Sequence, residues 1–238
     1  MIFTAITTVL FDLDGTLLPM DQDVFVAAYF KKLAVKLAPH GYDPKELIDA
    51  IWMGTGAMIT NNGSCSNETA FWNVFCKKFG KDARKDEPIF EEYYKTDFQS
   101  VKDVCGFDPV AAETINALKE KGLRLILATN PIFPAIATQS RVRWAGLDVS
   151  SFEYYTTYEN SSYCKPNLDY YREIMSKCKL KAEECLMVGN DVGDDMVTRE
   201  LGMNVFLLTD CLINKKDVDI NQYPHGGFAE LMEYINTL

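Results

Sequence analysis

The spacing of apolar residues along this chain changes period twice. Residues 5–11 (AITTVLF) form a β-branched, apolar run broken at once by Asp12-Leu13-Asp14-Gly15, the pattern of a buried strand that ends in a turn. From Asp21 to about residue 100 no strand pattern occurs and helical spacing takes over. Val24, Ala28, Phe30, Leu33 and Leu37 predict one helix, and Leu47, Ile48 and Ile51 a short second one. Phe71, Val74, Phe75 and Phe79 predict a third, and Ile89, Phe90, Tyr93 and Tyr94 a fourth. Trp52-Met53-Gly54-Thr55-Gly56 and Asn61-Asn62-Gly63 read as polar loops between them. From Asp108 the two periods alternate. Helices are predicted over 110–121, 134–144, 167–178, 196–201 and 228–235, and strands over 123–128, 152–156, 185–188 and 204–208.

Strands alternating with helices specify the α/β class, with a doubly wound parallel sheet covered on both faces. The expected organisation is an α/β core from residues 1–18 and 101–238, with a helical domain, 19–100, inserted directly after the first strand. Ligands of open α/β sheets bind at the carboxyl ends of the strands. A domain inserted there would sit over the site as a lid.

Composition narrows the classes. A chain of 238 residues, 47% apolar and 24% charged, is that of a folded globular protein of one or two domains. Asp plus Glu number 34 against 24 Lys plus Arg, a net charge of −10 that argues against nucleic-acid and anionic-membrane partners, both of which need a positive field. The apolar runs are shorter than the roughly 18 residues of a spanning helix. Residues 1–10 lack the basic flank of a signal segment. Seven cysteines, none in C-x-x-C spacing, and only two histidines make a disulfide framework or a zinc site unexpected and point to the reducing cytoplasm. Nothing in the sequence chooses between a monomer and a homodimer.

The candidate chemistry falls at predicted strand ends. Asp12 and Asp14 follow the first strand, Thr129 and Asn130 the second, and Asn190, Asp191, Asp194 and Asp195 the run Cys185-Leu186-Met187-Val188. Lys165, before Pro166, is the one cation expected near that edge. Taken singly each has an ordinary reading: a turn after a strand, a helix N-cap, a solvated lysine, acids complementing a helix dipole. Phe133 and Arg141 are weaker candidates for substrate contact.

Together, and in this order, these segments resemble the haloacid dehalogenase (HAD) superfamily in its phosphatase branch, with a helical cap and a phosphoglycolate-phosphatase-like layout. Asp12-Leu13-Asp14-Gly15-Thr16-Leu17 matches the family's first motif, Thr129 the second, Lys165 the third, and the acidic cluster after Val188 the fourth. The resemblance implies a Rossmann-like core, a Mg²⁺ cofactor and a small phosphorylated metabolite as substrate. It implies Asp12 as carboxylate nucleophile, forming an aspartyl-phosphate, and Asp14 as general acid and then base. Thr129, Asn130 and Lys165 would hold the phosphoryl oxygens. A dehalogenase would have no use for Asp14, because its halide leaving group needs no proton.

The fourth motif departs from the family's commoner Gly-Asp form, since Asn190 occupies the first acidic position. The expected metal ligands are therefore Asp12, Asp14, Asn190 and Asp191, with Asp191 supplying the charge and Asp194 and Asp195 orienting the others. The resulting expectation is a Mg²⁺-dependent phosphatase. The alternatives are a phosphomutase of the same family and a catalytically degenerate module that binds a ligand.

Overall fold

The computed structural model describes residues 5–238; the first four residues of the apolar N-terminal run lie outside the described residues. Six strands, β1 (Thr8–Phe11), β2 (Arg124–Leu127), β3 (Tyr154–Tyr155), β4 (Cys185–Gly189), β5 (Asn204–Leu208) and β6 (His225–Gly226), form one parallel sheet in the order β3-β2-β1-β4-β5-β6. This is the strand order of a doubly wound α/β sheet, with the chain reversing direction of build-out at β1. Phe11 lies level with Leu127 of β2 and Val188 of β4, so three strand ends line up side by side.

The strands are buried on both faces, and their side chains alternate between two apolar layers. Val9, Phe11, Leu125, Leu127, Leu186 and Val188 point one way, toward α5 (Pro109–Glu120), α6 (Ala135–Trp144) and α8 (Phe228–Ile235). Leu10, Ile126, Met187 and Val205 point the other way, toward α7 (Leu168–Cys178) and a 3-10 turn at Met196–Leu201. The 196–201 segment, predicted as an α-helix, is therefore tighter than that. The two-residue strand β3 falls inside the strand expected over 152–156, whereas β6, also two residues long, falls where no strand is predicted.

Between β1 and β2 the chain forms α1 (Gln22–Leu37), α2 (Pro44–Ile59), α3 (Asn67–Phe79) and α4 (Glu87–Lys95), with no strand among the described residues of that stretch. Asp21, Asp43 and Ser66 cap the first three, each accepting from a backbone N–H of the first turn. Predicted positions shift in two places. On α1 Leu33 and Leu37 are buried as expected, but Phe25 and Tyr29 are buried with them while Val24 is exposed. The supposed loop at 52–56 is the second half of α2, because the absent side chain of Gly54 leaves room for the Phe71 ring of α3; a Cβ there would collide with it. Asn61-Asn62-Gly63 is a loop as read.

The helices pack through aromatic rings and join the sheet's apolar layer: Phe98 lies 4.9 Å from Trp144 of α6, centroid to centroid. The outgoing and returning chain segments pair at Met20 and Cys105, where Gly106 N donates to Pro19 O at 2.7 Å. A polar contact lies at the start of α3. Asn67, fully buried, donates to the carbonyls of Pro131 and Tyr163 at 3.2 Å each, and accepts from Asn61 Nδ2 at 2.9 Å. No helix among the described residues is long and apolar enough to cross a membrane, and all seven cysteines are free.

Candidate active site

The carboxyl ends of β1, β2 and β4 bring most of the expected residues into one cleft. Asp12 follows β1 directly, and its N–H donates to Val188 O at 2.9 Å, so the backbone of the neighbouring strand fixes its position. The carboxylate, 7% exposed, is held from two sides. Lys165 Nζ donates to Oδ1 at 2.8 Å and Thr16 Oγ1 lies 3.1 Å from Oδ2. Lys165 also donates to Asp195 Oδ1 at 2.6 Å. Burial works against the lysine's charge, but Asp12 and Asp195 overcome it and hold its pKa well above the usual value. Burial pushes the Asp195 carboxyl up, against the pull of Lys165.

Two glycines make this closeness feasible. Gly15 has φ +85°, and a Cβ on it would collide with the Asn190 amide. A Cβ on Gly189 would collide with the Asp195 carboxylate.

The fourth motif lines the cleft and is held by its own hydrogen bonds. Asn190 Nδ2 donates to Cys211 O at 2.6 Å, which turns Oδ1 toward Thr16 Oγ1 at 3.1 Å, beside Asp12. Asp191, expected as the charged ligand, uses Oδ1 in its own turn, accepting from Gly193 N at 2.7 Å and Asp194 N at 3.0 Å. Asp195 reaches Lys165 and also accepts from Asp191 N at 3.1 Å. Asp194 stands partly buried at the cleft wall, and Tyr171 donates to its carbonyl at 2.6 Å.

Asp14 is paired with Arg141, so Lys165 is not the sole cation at this edge. The guanidinium is fully buried, rises from α6, and lies 4.5 Å over the Phe133 ring. Burial pushes the Asp14 carboxyl up, Arg141 pulls it down, and Asp12 adds to the rise. Asp14 Oδ1 is buried with no hydrogen-bond partner. At the end of β2, the Thr129 carbonyl accepts from Thr156 Oγ1 at 2.6 Å and Tyr170 OH at 2.8 Å, leaving its side chain at the cleft. Asn130 Oδ1 accepts from Lys165 N at 3.3 Å, tying the second and third segments together.

The sequence reading did not single out Thr16, although it stands four residues after Asp12 in the same tight turn. It named Arg141 only as a substrate contact. The Asp14 pair joins residues 127 positions apart, and no local pattern carries such a pairing.

A cleft of about 860 Å³ opens over these groups, within the size range of small-molecule sites. Its core wall carries Asp12, Asp14, Thr129, Lys165, Asn190 and Asp191; its helical wall carries Gln22, Phe25, Val26, Trp52, Thr55 and Ile59. The donor set also bears on a cation. Three carboxylates, the buried Asp12 and Asp195 and the partly buried Asp14, face two cations, Lys165 and Arg141. The single Thr16 proton can serve only one of Asp12 Oδ2 and Asn190 Oδ1 at a time. Among the described residues no three His, Cys, Asp or Glu side chains converge as a ligand set. The carboxylates of Asp12 and Asp14, the latter with one orphaned oxygen, and the amide oxygen of Asn190 nonetheless suit Mg²⁺, which is held by one or two carboxylates and otherwise by water and substrate.

Comparison with known proteins places the chain in a family. Residues 6–198 match the family model of the haloacid dehalogenase-like hydrolases. The phosphoglycolate phosphatase of Vibrio parahaemolyticus serotype O3:K6 (strain RIMD 2210633) is 27% identical over 208 residues, covering 86% of this chain and 84% of that one. The crystal structure of a HAD phosphatase from Thermococcus onnurineus superposes with a TM-score of 0.60 at 19% identity, covering 97% of this chain and 98% of that one. That of a 2-haloacid dehalogenase from Pseudomonas syringae pv. Tomato DC3000 superposes with a TM-score of 0.63 at 19% identity, covering 98% and 99%. With its first motif intact at the end of β1 and the family model spanning the sheet's first four strands, the chain belongs to the haloacid dehalogenase-like hydrolases.

Proposed function

We propose that the protein is a phosphatase that hydrolyses a small phosphate monoester through an aspartyl-phosphate on Asp12. The observation that carries this reading is the Asp12 carboxylate itself. It stands at the carboxyl end of the central strand, clamped by Lys165 and Thr16, and faces a cleft of substrate size. The similarity to a phosphoglycolate phosphatase supports the reaction class; phosphoglycolate is one substrate to test.

In this mechanism an Asp12 oxygen attacks phosphorus and the bond from phosphorus to the alcohol oxygen breaks. Lys165 orients the nucleophile and, remaining protonated, offsets the repulsion between carboxylate and phosphate. Thr129 and Asn130, at the end of β2, bind the phosphoryl oxygens. Asp14 gives its proton to the leaving oxygen; its burial favours the protonated form that this step needs. In the second step Asp14 takes a proton from water as the water oxygen attacks phosphorus. The Asp12–phosphorus linkage breaks, inorganic phosphate leaves, and both aspartates return to their starting states.

Asp12, Asp14 and Asn190, with Asp191 at the cleft wall, would hold Mg²⁺. When bound, the ion supplies positive charge to the phosphoryl oxygens and to the nucleophile approaching them. Residues 19–100 act as a cap over the cleft, bringing the helical wall down on the alcohol part of the substrate while the core wall holds the phosphate.

A phosphate-release screen tests the reading, with sugar phosphates, nucleoside monophosphates, phosphoserine and phosphoglycolate, with and without Mg²⁺, and with Asp12→Asn as control. Mg²⁺-dependent release that disappears in the variant supports it. Release unaffected by Asp12→Asn overturns the nucleophile. Transfer of phosphate to a sugar in place of water would make the protein a mutase. Ligand binding with no turnover would make it a binding module.

A further inference from the structure

Behind the helical wall the cleft continues into a second chamber of about 90 Å³. The two share Val26, Trp52, Thr55, Ile132 and Phe133. The chamber's deeper wall is a set of aromatic rings, Tyr29, Phe71, Trp72, Phe90, Tyr94 and Tyr158, and it is lined by no charged side chain. The cleft's outlying cations, Arg199, Lys215 and Lys216, belong to the segments after β4 and β5 and do not reach it. A carboxylate placed there would lose its water and meet no counter-charge. An uncharged ring would bury apolar area against rings already disposed edge-to-face.

One further observation points to a ligand. At the mouth, Trp52 stays 51% exposed and Ile59 48%, one turn apart from Thr55 on either side of it along α2. Exposed apolar side chains beside a polar site are a common mark of ligand contact.

We infer that this chamber receives the alcohol part of the substrate, and that the substrate is a phosphate monoester of an aromatic alcohol. The inference rests on the phosphatase reading and specifies its substrate class. Since the chamber alone is smaller than the roughly 150 Å³ cavity that encloses benzene, the ring enters partway and is completed by Val26, Trp52 and Phe133 at the mouth.

The test compares kcat/KM for benzyl and ethyl phosphates and for phosphoglycolate, all esters of primary alcohols. Benzyl should exceed ethyl by about tenfold or more, the scale of hydrophobic-pocket discrimination. Phosphoglycolate should not exceed ethyl. Val26→Phe, which narrows the shared mouth, should bring the benzyl-to-ethyl ratio toward one. In parallel, binding of benzylphosphonate, which cannot be hydrolysed, is followed by tryptophan fluorescence; the wild-type signal should change and that of Val26→Phe should not. Equal rates for benzyl and ethyl, a preference for phosphoglycolate, or an unchanged ratio in Val26→Phe overturns the inference. Benzylphosphonate binding without turnover of any ester retains the chamber and removes the hydrolytic reading. Absence of both binding and turnover removes both.

Discussion

The two walls of the cleft are built on opposite principles. On the core wall each charged group is held by a counter-charge. Lys165 bonds Asp12 and Asp195, Asp12 is bonded by Lys165 and Thr16 and fixed through its backbone by Val188, and Asp14 is gripped by Arg141. Asp12 and Asp14 follow β1 and Asp195 follows β4 in a parallel sheet buried on both faces, so the spacing of the carboxylates is tied to strand pairing. The helical wall holds its groups by area. Its rings pack edge-to-face, and the chamber they line carries no charged side chain. A reaction needs fixed charges at fixed distances, whereas discrimination between alcohols needs shape and apolar surface. The first belongs on strand ends and the second on helices that can be repacked.

Lys165 should give the largest effect of any change to either wall. Lys165→Met leaves the buried Asp12 and Asp195 carboxylates facing each other with no cation, a situation that costs about 3–5 kcal/mol. Urea denaturation should show a loss of that size, and phosphate release should fall by about three orders of magnitude or more. Asp12→Asn should abolish turnover equally but leave stability unchanged or raised, because it removes one of three carboxylates that face two cations. If Asp12→Asn unfolded the protein, the core wall would be held by its charges and not by its sheet.

Gly15→Ala comes next. It forces a side chain into a left-handed backbone position and against the Asn190 amide, for a loss of about 2–4 kcal/mol combined. The thermal midpoint should drop by several degrees, and activity should fall with the displaced Asn190 oxygen. The next test crosses from one wall to the other. Asn67→Ala leaves the Pro131 and Tyr163 carbonyls without their buried donor, at a cost of about 1–3 kcal/mol. Because the contact ties α3 to the segments beyond β2 and around Lys165, hydrogen exchange should speed up in α2 and α3 while β1 and β4 stay protected.

Much of the core wall was legible before any coordinates. Strands β1, β2, β4 and β5 follow from apolar runs, and the parallel α/β sheet from their alternation with helices. Asp12, Asp14, Thr129, Lys165 and Asn190 are placed at one edge by motif order, and the structure brings them into a single cleft. What escaped were relations between distant residues. The Arg141–Asp14 pair, the turning of Asp191 toward its own loop and the Thr16 bridge to Asn190 all depend on how segments meet. The helical region was legible as helix and misread in detail for the same reason. Gly54 and Gly56 read locally as a loop, and only the presence of Phe71 on α3 shows why a glycine belongs inside α2.

Those two glycines supply the smallest effect and the finest test of the comparison. Both lie within α2, two residues apart, and helix propensity alone would assign both the same gain on replacement by alanine. Their surroundings differ. A Cβ at position 56 meets nothing within 4 Å, whereas one at position 54 strikes the Phe71 ring. Gly56→Ala should therefore stabilise the protein by about 0.5–1 kcal/mol through the lower entropy of its unfolded chain. Gly54→Ala should lose that gain and more, because Phe71 must move and the chamber behind it changes shape. Paired urea melts give the signs. If both variants are stabilised, the α2–α3 contact yields easily, and the helical wall is softer than its packing implies. Opposite signs mean that the shape of the aromatic chamber is set by the same close approach that placed a glycine in the helix.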